Sequence, residues 1–126
     1  MRDRPHRDAL LAIARAALIE DVLPQIAADQ RMSALMVARA LEIVGREIVA
    51  GDAADLGFAA GIAALYQQPA PGEAATFDAL ARRLASDLRA NAFAQTSDRR
   101  RTVHALLLAE ARARVALGNP RYLDAE

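Results

Sequence analysis

Apolar residues recur at every third or fourth position along most of this chain, and alanine supplies many of them. This spacing places apolar side chains on one face of an α-helix, whereas a half-buried strand would place them at every second position. Alanine and leucine also favour helices, and β-branched residues are few. The sequence therefore predicts an all-α fold, a compact bundle of about five helices forming a single domain over residues 1–126.

The breaks between these helices are predicted from residues that favour helix ends. Prolines and glycines suggest helices over about 5–23, 32–50, 53–67, 76–91 and 97–117. Asn91 tolerates the left-handed conformation and is expected to close the fourth helix. Asp52, Thr76 and Ser97 are expected to cap the third, fourth and fifth helices. Residues 68–75, QPAPGEAA, form the predicted loop.

Helical periodicity predicts which side of each helix is buried. The expected buried faces are Leu10, Ile13, Ala14, Ala17, Leu18 and Asp21 in the first helix; Val37, Ala40, Leu41, Val44 and Ile48 in the second; Phe58, Ile62 and Leu65 in the third; and Phe77, Leu80, Ala81, Leu84 and Leu88 in the fourth. In the second helix, Glu42 is spaced to pair with Arg39 and Arg46 on the opposite, solvated face.

The residue types that are missing restrict the chemistry. The chain has no cysteine and no lysine, so thiolate nucleophiles, zinc–thiolate sites, Schiff bases and the P-loop lysine are excluded. The two histidines are a weak basis for a metal site. No nucleophile–base motif is visible, so we expect no catalytic residues, no cofactor and no metal, which favours a binding protein over an enzyme.

Charge and hydropathy argue against nucleic-acid and membrane partners. The 16 arginines balance 16 acidic residues, which leaves no net field to attract a polyanion or an anionic membrane. No stretch reaches the roughly 20 apolar residues of a membrane span. The apolar run LLAIARAALI resembles a signal peptide, but Arg15 interrupts it, and Glu20 and Asp21 occupy the place of a cleavage site. A cytoplasmic protein is expected.

The stretch TSDRRRTVHA, residues 96–105, is the strongest local concentration of charge. Successive helical residues point about 100° apart, so Arg99, Arg100 and Arg101 do not form one basic stripe. The favoured interpretation is a solvated first turn with local ion pairs. The alternative is a small-anion site that uses one or two of these arginines.

Four charged residues are candidates for a polar pocket or an ion pair. Glu110 and Arg114 are four residues apart on the predicted buried side of the last helix, and Asp21 lies on an apolar face just before Pro24. If a pocket exists between helices, Asp21, Glu110 and Arg114 would line it, with Arg100 at its mouth. The favoured interpretation is structural ion pairing, because such networks also place charges in protein interiors.

Two other segments are candidates for docking. Gly57 and Gly61, with Ala60 and Ala64, form a small-residue groove on the third helix, which we expect to mark a tight crossing inside the fold. The terminal string GNPRYL follows the last helix, and Pro120 forces the chain off the helix axis. Its residues Arg121, Tyr122 and Leu123 are expected either to fold back on the core, which is favoured, or to project as a docking segment.

Three segments carry a family resemblance: RPHRDALLAIARAALIEDVLP, LMVARALEIVGREI and ARVALGNPRYL. In their order and spacing they resemble a small all-helical bacterial family of unknown function. Its members are often encoded beside aminoglycoside-phosphotransferase-like kinases and acyl-CoA dehydrogenases. The resemblance implies such an enzyme as a partner, but it implies no catalytic residues.

These observations favour a non-catalytic helical accessory protein that binds another protein, with self-association into a homo-oligomer as a second expectation. The alternative is a protein or enzyme that binds a small anionic ligand in a polar pocket between helices.

Overall fold

The computed structural model describes residues 5–69, 72, 74–94 and 97–125. Over these residues the chain is helical and contains no strand, which confirms the predicted all-α class. The α-helices of the described residues are α1 (Arg7–Ala17), α2 (Arg31–Ala50), α3 (Ala53–Leu65), α4 (Ala74–Arg89) and α5 (Ser97–Gly118). The chain divides into two compact units, a first unit of Met1–Gly51 and a second unit of Asp52–Glu126. Whether they behave as one folding domain remains a prediction.

In the first unit, α1 packs against α2. The regular part of α1 is shorter than predicted, because it passes into a π-helical turn (Leu18–Val22) and then a 3₁₀ turn (Leu23–Gln25). The amide of Leu23 donates to the carbonyl of Leu18, five residues earlier. Pro24 explains the change, since its ring has no amide hydrogen and clashes with the carbonyl four residues before it.

The buried faces predicted for α1 and α2 are wrong at most positions, because only Leu18 and Leu41 of the predicted residues are half-buried and the others are exposed. Ala38 is buried at 3% exposure, whereas Val37 on the predicted stripe is 52% exposed. In α1, Leu10 and Ile13 of the predicted face are 53% and 59% exposed. The half-buried side of α2 near Ala38 includes the small residues Ala34 and Gly45, and small side chains at a contact allow two helix axes to approach more closely. The side of α2 that is covered is therefore not the side with the largest apolar side chains.

In the second unit, α3 packs against both α4 and α5. The buried cluster consists of Ile62, Ala63, Leu80, Leu84, Phe93 and Val103. Phe58 and Phe77 pack against it and meet edge to face, with ring centroids 6.2 Å apart. The predicted faces of α3 and α4 are confirmed except at the end of α4, where Leu88 is 41% exposed. Phe93, in the connection between α4 and α5, is a core residue that the sequence analysis did not predict.

Left-handed residues end α3 and α4. Asn91 has a φ of 55°, its amide donates to the carbonyl of Leu88, and the amide of Ala92 donates to that of Asp87. This pair of hydrogen bonds is a Schellman motif, so the predicted role of Asn91 is confirmed. The same pattern closes α3, where Gln67 has a φ of 54° and donates to Ala64.

The predictions of N-cap residues were less accurate than the prediction that Asn91 ends α4. Asp52 precedes α3 as expected, but its side chain makes no capping hydrogen bond. The cap predicted at Thr76 is wrong, because α4 already begins at Ala74. Ser97 is the first residue of α5, so the capping position is residue 96, which lies outside the described residues. Residues 70, 71 and 73 of the predicted loop also lie outside them.

Candidate functional site

A cluster of arginines around one carboxylate lies between α1 and α2. Glu42 accepts hydrogen bonds from Arg39, at 2.9 Å, and from Arg46. Arg15 of α1 approaches the same carboxylate, with its Nη2 3.7 Å from Oε2. The pairing within α2 was predicted from its spacing, but Glu42 is only 29% exposed, so its face is not fully solvated as expected. The sequence analysis missed Arg15, because no local pattern connects α1 with this position.

These arginines stabilise the ionised form of Glu42. Its pKa is held below the ordinary value of 4.5, chiefly by the hydrogen bond from Arg39. Partial burial acts in the opposite direction, and the charges of Arg46, Arg39 and Arg15 add to the lowering. The cluster therefore joins α1 to α2 electrostatically, on the side of α2 that also buries Ala38.

The other feature of the first unit is an uncharged apolar surface on α2. We call the residues Val37, Ala40, Val44 and Ile48 the α2 stripe. Its three large members are 52%, 42% and 40% exposed, and all four lie within about 80° around the helix. Met32 and Met36, 69% and 67% exposed, extend the apolar surface of α2 on another side. Most of the large apolar side chains of α2 are thus exposed to solvent.

In the second unit, a tyrosine joins the end of α3 to α4. Tyr66 donates from its hydroxyl to Oδ2 of Asp87 at 2.6 Å, and the guanidinium of Arg83 lies 4.0 Å from its ring centroid. Burial, and then the hydrogen bond to the Asp87 carboxylate, raise the pKa of Tyr66 to about 12. The phenol therefore stays protonated near neutral pH and acts as a donor. Nothing in the sequence predicted this pair, whose members are 21 residues apart.

The three consecutive arginines at the start of α5 make different contacts. Arg99 donates to the carbonyl of Leu65 at 3.4 Å, and its guanidinium lies 5.4 Å from the ring centroid of Phe93. Arg101 pairs with Asp98 at 2.5 Å. Arg100 lines a surface groove. The local ion pairing that was favoured is therefore present at Arg101, while Arg99 ties α5 to the end of α3.

Glu110 and Arg114 form the expected ion pair, with Nε of Arg114 2.5 Å from Oε1 of Glu110. The two side chains differ in solvent exposure, which is 12% for Glu110 and 75% for Arg114. Glu110 also lines a groove of about 270 Å³ between α3 and α5, whose other lining residues are mostly alanines. The ion pair lies within α5, and its Glu110 carboxylate is the member that faces the groove beside α3.

Within the second unit, Arg100, Glu110 and Arg114 do not line one groove, and a pocket that also includes Asp21 stays a prediction. Arg100 and Glu110 line separate grooves that share no residue, and Arg114 lines neither of them. Asp21 belongs to the first unit, in the π-helical turn, and is exposed. The sequence analysis grouped these residues because they lie on predicted buried faces. Arg100 and Glu110 are 10 residues apart, however, which is about 15 Å along the helix axis.

The two glycines of the α3 groove have different surroundings. A Cβ added to Gly61 would collide with Cδ1 of Leu106, so α5 packs tightly on α3 at this point. A Cβ added to Gly57 would have no atom within 4 Å, and Gly57 lines the same groove as Glu110. The tight crossing inside the fold is therefore found at Gly61, where the approaching group is a leucine side chain.

The C-terminal segment is partly folded back. Pro120–Ala125 form a 3₁₀ helix that packs against α5, and the amide of Tyr122 donates to the carbonyl of Asn119. Leu123 is half-buried, but Tyr122 is 65% exposed and Arg121 is exposed. The favoured prediction of a tail buried on the core is wrong for Tyr122, because a 3₁₀ turn places neighbouring side chains on different sides.

No group of three or more histidine, aspartate or glutamate side chains in the described ranges is arranged to hold a metal ion. In the same ranges, no single helix is both long and apolar enough to cross a membrane, and only α2 and α3 taken together with Ala28–Gln30 reach that length and hydropathy.

Comparison with known proteins identifies a family. No curated protein and no solved structure matches the chain. A family model described as a domain of unknown function, DUF6285, matches residues 24–122. The matched region runs from Pro24 through α2 to Tyr122, so it includes the second of the three segments on which the resemblance rests and nearly all of the third. Since this match covers well over half of the sequence, the chain belongs to the DUF6285 family.

Proposed function

We propose that this chain is a cytoplasmic, non-catalytic accessory protein that binds another protein through the α2 stripe. The observation that carries the proposal is the exposure of an uncharged apolar surface on the longest helix of the first unit. Scattered exposed apolar residues are normal, but a contiguous patch on a soluble protein marks an interaction surface.

The partner surface that fits the α2 stripe is the apolar face of an amphipathic helix. From Val37 to Ile48 the stripe is roughly 16 Å long and one helix face wide, which matches about three turns of a docked helix. It carries no charged residue, so a partner would lose free energy by placing an unpaired charge against it. An apolar face with charges only at its edges avoids that cost.

The resemblance supplies the class of partner. Genes for kinase-like and acyl-CoA-handling enzymes often lie beside members of the resembling family, and neighbouring genes often encode proteins that act together. We therefore propose that the helix docked on the α2 stripe belongs to one of these enzymes. A second copy of this chain is the competing occupant, and the experiment below separates the two.

The test uses two valine-to-arginine variants of α2 as a matched pair. Val44→Arg places a charge in the α2 stripe, and Val49→Arg places the same charge on another face of the helix, where Val49 is 74% exposed. Each tagged protein is incubated with a lysate of the source bacterium, and captured proteins are quantified by mass spectrometry. A photo-crosslinking amino acid at position 37 then maps the contacted segment.

The expected result is one enzyme, captured in near-stoichiometric amount by the wild type and Val49→Arg but lost with Val44→Arg, and cross-linked through an amphipathic helix. Equal capture by all three proteins would contradict the proposed surface. Light scattering that shows a dimer, dissociated only by Val44→Arg, together with cross-links to the chain itself, would replace the partner with a second copy.

A further inference from the structure

The groove that contains Arg100 has an apolar floor and a polar edge. It lies between α5 and residues 88–94, and its volume is about 410 Å³. Phe93, Val103 and Leu107 form much of its lining, and the first two are only 6% and 3% exposed. The floor of the groove is therefore part of the core of the second unit, so its shape is fixed by packing rather than by a surface loop alone.

The polar residues of the groove converge from two segments. Arg100 and His104 are four residues apart on α5 and so project from the same side of the helix, while Asn91 comes from the end of α4. No carboxylate lines the groove among the residues that the structure describes. A ligand in this position would therefore meet hydrogen-bond donors and one fixed positive charge without a competing anion.

Arg100 differs from its neighbours in having its charge available. Arg101 is engaged by Asp98, and Arg99 by the Leu65 carbonyl and the Phe93 ring. Within the described ranges, no ion pair or hydrogen bond engages Arg100. A guanidinium presents a planar fork of donors that matches a carboxylate. A single such group balances the single charge of a carboxylate, whereas a dianionic phosphate would call for a second cation.

We propose that this groove binds a small monocarboxylic acid whose body is an alkyl or aryl group. The carboxylate pairs with Arg100, with His104 and Asn91 as neighbouring hydrogen-bonding groups. The apolar body lies on Phe93, Val103 and Leu107, where its burial favours binding. This site is separate in residues from the α2 stripe, and the proposed protein-binding function neither requires it nor depends on it.

The test is a titration of the full chain with 4-phenylbutyrate, followed by amide chemical shifts in NMR spectra. The alcohol 4-phenyl-1-butanol serves as the ligand control, because it keeps the apolar body and lacks the charge. Arg100→Gln removes the proposed ligand contact. Arg101→Gln is the matched protein control, since it makes the same charge change one residue away, outside the groove.

Saturable shifts are expected at Phe93, Val103 and His104, with a Kd raised about tenfold by Arg100→Gln and unchanged by Arg101→Gln. The alcohol should bind about tenfold more weakly than the acid. Three results would each overturn the proposal: no saturable shift in the groove, equal weakening by the two variants, which would indicate only a general charge effect, or an alcohol that binds as tightly as the acid.

Discussion

The two units of this protein use their apolar residues differently. In the second unit the stripes of α3 and α4 are covered, and Ile62, Leu80 and Leu84 are at most 5% exposed. In the first unit, Ala38 is the buried apolar residue of α2, and Val37 and Val44 are open. An amphipathic pattern thus locates an apolar helix face, but it does not tell whether another helix of the same unit covers that face. The first unit combines its open stripe with an ionic contact between its helices.

The largest expected difference between the units comes from shortening a core side chain in one and a stripe side chain in the other. Leu84→Ala removes a side chain that is 3% exposed and should lower the free energy of unfolding by about 2–5 kcal/mol. Val44→Ala, at a position 42% exposed, should change it by less than about 0.5 kcal/mol. Urea unfolding followed by circular dichroism measures both. A cost for Val44→Ala as large as that for Leu84→Ala would show that the stripe is covered and would remove the contrast.

A smaller effect is expected from the ionic contact of the first unit. Glu42→Gln removes the carboxylate shared by Arg15, Arg39 and Arg46, and should cost about 1 kcal/mol of stability at pH 7. Because the folded-state pKa of Glu42 is lowered, its contribution is complete above the ordinary value of 4.5 and is lost as the pH falls through the lowered pKa. Unfolding measured from pH 7 to pH 3 should therefore show the variant and the wild type converging at acid pH.

The control for this experiment is Glu47→Gln, which neutralises an exposed carboxylate of the same helix that is not part of the cluster. Its stability should stay close to that of the wild type at pH 7. If Glu42→Gln and Glu47→Gln had the same effect, the stabilisation would come from the overall charge of α2 rather than from the contact between α1 and α2.

Local preferences predicted much of the fold, because helix type and helix ends depend on residues close in sequence. Asn91 ends α4 because asparagine tolerates a positive φ. Glu110 pairs with Arg114 because residues four apart are neighbours on a helix. The closure of α3 by Gln67 was not predicted, since glutamine has no special preference for that conformation.

Helical periodicity could not predict which helices contact each other or through which faces. The pattern of α2 locates its apolar side, but it does not tell which side α1 approaches, so the direction of the stripe was predicted wrongly. The Tyr66–Asp87 hydrogen bond and the approach of Arg15 to Glu42 likewise join residues that are distant in sequence. The sequence offered a small-anion site at these arginines only as an alternative, and it gave no sign of the apolar floor of the proposed carboxylate groove, because Phe93 was not recognised as a core residue.

The smallest expected effect concerns two glycines of α3, and it tests how tightly the second unit is packed. Replacing a glycine in a helix by alanine stabilises the helix by about 0.5–1 kcal/mol. Gly57→Ala should show most of this gain, because its Cβ would enter open space. At Gly61 the new Cβ would displace the Leu106 side chain, and the cost of overpacking should cancel the gain or exceed it.

The comparison of these two variants is sharper than either measurement alone, because the helix-propensity term is nearly the same at both positions and cancels. The difference in unfolding free energy, Gly57→Ala being the more stable, then reports the α3–α5 contact itself. A third variant, Gly61→Ala combined with Leu106→Ala, removes the colliding atoms and should remove the part of the difference that arises from the collision. Equal gains at the two single positions would mean that Leu106 turns aside freely, and the crossing at Gly61 would then be looser than the surrounding core.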